Sequence, residues 1–155
     1  LNSRILNADF YIRHGEILLR SYENLIGSEL IGTKSDNTAG IIRIWGAPFA
    51  VVSHGKENDP IFSFGNKVAL ELFELEFDEF IKMQSRKSAE EVEQRERDRL
   101  LAEVTKRGYI KNYSGVRISA TGKRFAIEKA VIWNLRDLKG KYCGQAAMFK
   151  DWKYL

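Results

Sequence analysis

Residues Ala47 to Leu75, APFAVVSHGKENDPIFSFGNKVALELFEL, decide the fold. A short apolar run, Pro48 to Val52, meets a cluster of turn formers from Gly55 to Asp59, and a second short run follows at Ile61 to Phe64. Runs of this length bounded by Gly, Asn, Asp and Pro read as two strands joined by a turn. Asn66 then opens a helical pattern in which Val68, Ala69, Leu72 and Phe73 form one apolar stripe, with the Asn side chain placed to cap the helix. Two antiparallel strands therefore lead straight into a helix, and Phe77 and Phe80 continue into a short second turn.

Upstream, Leu18, Tyr22, Leu25 and Leu30, joined by Leu19 and Ile26, recur at helical spacing between Asp9 and Ile31, with Arg13, Glu16, Arg20, Glu23 and Glu29 opposite. This predicts an amphipathic helix with a break near Gly15. The polar run from Gly32 to Gly40 ends it and serves as a linker. Residues 1–40 thus read as helix and linker, and 41–155 as the sheet-bearing domain. Downstream, Ser88-Ala89-Glu90-Glu91 has the form of a capping box. The helix it opens runs to about Arg107, where Gly108 stops it. Its first half is charged, with Glu91–Arg95 and Glu93–Arg97 spaced for surface pairs worth ~0.2–0.5 kcal/mol each. Only Val92, Leu100, Leu101 and Val104 are apolar enough to bury, so a solvated helix anchored by its C-terminal half is expected.

Thr121-Gly122 and Lys139-Gly140 divide the last third into three strands. Phe125, Ile127, Val131, Trp133 and Leu135 alternate with polar neighbours, which marks a long central strand with one apolar face. On the outer segments Val116 and Ile118, then Met148 and Phe149, supply less. Gly144, Ala146 and Ala147 leave room above the sheet.

The phrases APFAVVSH, DPIFSFGNKVALELFEL, SGVRISATGKRFAIE, AVIWNLRD and GQAAMF together resemble the MEKHLA domain family, a PAS-related module, over roughly Leu18 to Trp152. The order strand, strand, helices, three strands agrees with it. The resemblance implies an α+β fold: a PAS-like five-stranded antiparallel sheet with helices on one face, and the N-terminal amphipathic helix packed outside. It implies no catalytic residues and names no cofactor.

Size and composition bound the function. A chain of 155 residues with 44% hydrophobic content suits one domain with a real core. Its longest apolar run, Ala47 to Val52, falls far short of the ~20 residues of a membrane span. The single cysteine, Cys143, forms no internal disulfide and suits a reducing, cytoplasmic setting. The 25 basic and 21 acidic residues are interspersed, giving +4. A nucleic-acid partner is not expected, because Lys139-Gly140-Lys141-Tyr142 lacks the aromatic residues of an RNA-binding strand.

Catalytic motifs fail on geometry. Neighbours on a strand point to opposite faces, so Ser53 and His54 do not form a nucleophile and base, and the chain is read as no enzyme. His54 reads as a turn or rim residue. His14, His54 and Cys143 have no metal-ligand spacing. Gly27-x4-Gly32-Thr33-Lys34 puts Thr33 where a phosphate loop needs lysine, and it follows a helix rather than a strand. Flavin-adduct relatives of the PAS fold carry a helix cysteine in an Asn-Cys-Arg-Phe phrase that is missing here, and Cys143 opens the last strand.

An apolar-walled pocket remains, expected to be lined by Phe64, Leu72, Phe73, Phe80, Ile127, Trp133 and Met148, with Tyr113 and Asn134 as polar edges. The reading is a non-enzymatic PAS-like sensory or regulatory domain acting on a protein partner or a small apolar ligand. A scaffold with a solid core is the alternative, and a small-molecule enzyme the distant one. A homodimer through Leu18, Tyr22, Leu25 and Ile26 is expected.

Overall fold

The computed structural model describes residues 6–32 and 38–155. Part of the linker, including Lys34 of the phosphate-loop imitation, lies outside the described residues. The amphipathic pattern becomes α1, Asp9–Ile26, which runs unbroken through Gly15 and ends at Gly27. Gly15 marks a close crossing instead of a break: a Cβ there would stand 2.5 Å from the backbone nitrogen of Ile41. Ile41 belongs to a short helix that begins where the expected linker ends, α2 (Gly40–Trp45), whose Ile41 and Ile44 are fully buried one turn apart.

The strand pair and helix expected from the opening stretch follow as β1 (Ala50–His54), β2 (Phe62–Gly65) and α3 (Lys67–Phe73). Asn66 caps α3 through Oδ1, which accepts from the Ala69 amide at 3.1 Å. The same side chain accepts from Val51 N and donates to the carbonyls of Ile44 and Phe49. One buried amide with four partners thereby fixes α2, β1 and α3 together.

Next come α4 (Phe77–Phe80), a 3₁₀ turn at Ser85–Ser88 and α5 (Glu91–Arg107). The expected capping box at Ser88 does not form. Ser88 Oγ donates to Ser85 O at 2.7 Å, closing the 3₁₀ turn, and Glu90 takes the N-cap position. The reciprocal box occurs instead at Glu76 and Glu79, ahead of α4.

The remaining strands are β3 (Tyr109–Ile118), β4 (Arg124–Arg136), β5 (Tyr142–Phe149) and β6 (Asp151–Tyr154). The antiparallel sheet has the order β2-β1-β5-β4-β3, and β6 continues beside β4 where β5 ends. Helices α3 to α5 cover its inner face. Helix α1 covers the outer face, with the Tyr22 ring edge-on to Trp133 at 4.9 Å.

A bulge in β4 corrects the expected face of that strand. Tyr113 to Gly115 on β3 oppose Ile127 to Ala130 on β4, one residue more, and Lys129 adopts φ +54° there. An extra residue reverses the side-chain parity. Phe125 and Ile127 therefore face inward, whereas Val131, Trp133 and Leu135, beyond the bulge, face α1.

Candidate functional site

Between the inner face of the sheet and the helices lies a cavity of about 60 Å³. Its floor is built from alternate residues of β1, β5, β4 and β3. Phe62, Phe73 and the 3₁₀ turn close one side, and Arg97 with Leu101 on α5 form the roof. Most of the wall is apolar, but it carries His54, Ser85, Ser88, Arg97, Tyr113, Arg117 and Gln145 as well.

Arg97 reaches this interior because it shares the buried stripe of α5 with Leu100, Leu101 and Val104, at helical spacings of three, four and seven. Val92, expected to bury, sits off that stripe and is 82% exposed, while Arg97 is 5% exposed. The expected Glu93–Arg97 surface pair is therefore not made: Arg97 Nη2 donates to Ser85 Oγ and Nη1 to Asp98 Oδ1 at 3.2 Å. The Asp98 side chain is itself 70% exposed, so this counter-charge sits largely in water. Burial and the neighbouring Arg117 charge bring the Arg97 guanidinium down to about 10, and it stays charged at neutral pH.

Arg117, 8% exposed, enters from β3. Its Nη1 donates to Val116 O at 2.9 Å and its Nη2 to Tyr113 Oη at 3.3 Å, and the guanidinium lies 5.6 Å from the Tyr113 ring centre. Tyr113 Oη donates in turn to Glu96 Oε2 at 3.0 Å. The phenol lies across Gly115, where a Cβ would stand 2.2 Å from its oxygen, so only glycine leaves the ring this path.

His54 closes β1 and is 8% exposed, a wall residue instead of the rim residue expected. Its Nδ1 lies 2.8 Å from the Gly55 carbonyl oxygen, which only accepts, so Nδ1 carries the proton and Nε2 is a bare acceptor. That Nε2 is buried without a hydrogen-bond partner among the described residues. Burial holds the imidazole below its usual range. Beside the cavity, Gln145 Nε2 lies 3.0 Å from Asn134 Oδ1 and 3.1 Å from Leu101 O, and Asn134 donates to Thr105 O.

Of the residues expected to line a pocket, the structure brings Phe73, Tyr113 and Ile127 to this cavity. Leu72 and Phe80 pack in the surrounding core, with Phe80 stacked on Phe62 at 4.1 Å, and Asn134 lies just beyond the wall. Phe64, Trp133 and Met148 are on the other face of the sheet. Phe64 pairs with Ser53 and Met148 with Val51, and both of those residues face outward. Sequence reasoning passed over Arg97 and Arg117. Only the helical stripe signalled the first, and nothing short of the strand register signalled the second.

On the outer face, Ser53 finds a histidine after all. His14 Nε2 lies 2.8 Å from Ser53 Oγ, which lies 2.7 Å from Ser63 Oγ, and Tyr11 donates to Ser63 O. His14 and Ser53 are buried between α1 and the sheet, with Tyr11 and Ser63 half-buried, and burial brings His14 down to about 4. Leu18 and Tyr22 are also buried there, and Leu25 and Ile26 are half-buried. Among the described residues no helix is long and apolar enough to cross a membrane, and no three His, Cys, Asp or Glu residues cluster as metal ligands.

Residues 12–154 match the MEKHLA domain. Homeobox-leucine zipper protein HOX29 of Oryza sativa subsp. indica is 26% identical over 143 residues, covering 89% of this chain and 16% of that protein. The chain thus spans a small part of this relative's length. The PAS domain of a protein from Colwellia psychrerythraea superposes with a TM-score of 0.62 at 10% identity, over 74% of this chain and 92% of the other. A light-oxygen-voltage domain from work with a flavin analogue gives 0.59 at 13% identity, over 77% and 86%. These structural likenesses are of fold alone.

Proposed function

This chain belongs to the MEKHLA domain family and has the PAS fold, and on that premise we propose that it is a sensory or regulatory domain that acts by binding, not by catalysis. The observation that carries the reading is the inner cavity. It lies where the sheet and α5 meet, so a molecule held there touches both layers and biases how they pack. Ser53 and His54 on opposite faces, and a His14–Ser53 pair sealed under a helix, support the non-enzymatic part of the reading. A reducing, cytoplasmic setting suits the single half-buried thiol of Cys143.

The ligand is small. At about 60 Å³ the cavity is under half the ~150 Å³ that an engineered apolar cavity needs for benzene. A second copy docking on α1 would use the margins of the helix, because Leu18 and Tyr22 in its middle are spent on the chain's own sheet. Mass spectrometry of the protein released intact from cells, set beside the denatured mass, tests the reading. A reproducible small added mass is expected, whereas an apo mass in every preparation supports a solid scaffold.

A further inference from the structure

The inner cavity buries two cations and no anion. Its wall contains Arg97 and Arg117 and no Asp or Glu, and each guanidinium finds protein partners for two of its five N–H donors. Like charges taken out of water are costly unless an opposite charge joins them. Here the nearest carboxylates are held outside, Asp98 in solvent and Glu96 on the phenol of Tyr113. His54 lines the same space, and its Nε2 is a buried acceptor with no hydrogen-bond donor among the described residues. The rest of the wall, including Val52, Phe62, Ile132 and Phe149, suits hydrocarbon.

Resting on the reading of this cavity as the ligand site, we propose that it binds a small hydroxy-carboxylate of a few heavy atoms, its carboxylate on Arg97 and Arg117 and its hydroxyl donating to His54 Nε2. A planar carboxylate offers each guanidinium a matching pair of acceptors. Inorganic phosphate or sulfate would meet the charge but leave the apolar wall unfilled. A neutral apolar molecule would fill the wall and leave the remaining donors of both arginines and Nε2 of the histidine unmet.

Glycolate is the probe. At matched ionic strength in chloride buffer, glycolate titrated into the full chain is expected to raise the unfolding temperature saturably, acetate more weakly, and the neutral isostere glycolamide not at all. R97Q and R117Q should each weaken glycolate binding about tenfold or more, the loss typical of a charge-assisted contact. H54F should erase the preference for glycolate over acetate. Equal responses to glycolate and glycolamide, folded arginine variants that bind like the wild type, phosphate binding in place of carboxylates, or no saturable response to any carboxylate would each overturn the proposal. If R97Q does not fold, the glycolate and glycolamide arms on the wild type decide alone. A neutral molecule found by intact mass would sink the anion inference and leave the cavity reading standing, whereas an apo mass with no carboxylate response would sink both.

Discussion

The two faces of this sheet bury polar groups in different settings: among the described residues each keeps an unpartnered nitrogen, Trp133 Nε1 in the packed outer core and His54 Nε2 on the inner face, but only His54 lines a cavity. On the outer face His14 and Tyr11 of α1 and Ser53 and Ser63 of the sheet hydrogen-bond one another or the backbone. On the inner face, one residue along the same strand, His54 has an Nε2 unpartnered among the described residues, in a cavity wall shared with two buried arginines. Buried polar groups are ordinarily satisfied, so the outer cluster needs only a structural account. Open polar groups in a cavity are a cost that a purely structural core has no cause to retain. The difference separates the face that holds the domain together from the face that is built to receive something.

Breaking the outer face should cost most. Trp133→Ala removes a fully buried ring packed on Tyr22 and should lower unfolding free energy by ~3–5 kcal/mol in a urea titration. A loss under about 1 kcal/mol would mean that α1 is not docked as described.

Acid should loosen the same face next. His14 takes up a proton at about 4 when folded, against about 6.5 when exposed, so the unfolded chain binds more protons between those values. The contribution is full above pH 6.5 and is lost as pH falls toward 4, by up to about 3 kcal/mol. Burial holds His54 low too and adds a slope of the same sign. His14→Gln should flatten stability against pH in that window while leaving the His54 part. An unchanged slope in H14Q would assign the effect elsewhere.

On the inner face the effects are smaller. Gly115→Ala forces the Tyr113 phenol off its path and should cost ~1–3 kcal/mol, with the Tyr113 to Glu96 bond lost in hydrogen-exchange or tyrosine NMR data. Arg97→Met should change ligand-free stability by less than about 1 kcal/mol, or raise it, because a buried cation whose one counter-charge, Asp98, sits largely in solvent gives way to an apolar side chain of similar volume. A large destabilisation by this change would show that Arg97 is a structural strut.

Much of the fold was legible because it is written locally. The Asn66 cap, the Gly108 stop and the apolar stripe of α1 each depend on residues within a few turns of one another. The site was less legible because it depends on parity and long range. One extra residue near Lys129 sent Trp133 to the opposite face from the one that alternation assigns. Arg97 was hidden by its charged neighbours, although its spacing from Leu101 and Val104 marked it as inward. The pairing of His14 with Ser53 joins positions 39 residues apart, which no local pattern reports.

The most direct test of the contrast between the faces is a residue-resolved amide NMR titration of the wild type with glycolate. The account predicts saturable shifts at Val52, His54, Arg97, Tyr113, Arg117 and Gln145, with His14 and Trp133 unmoved. Shifts centred on Trp133, His14 or the rest of α1, or none that saturate, would contradict it.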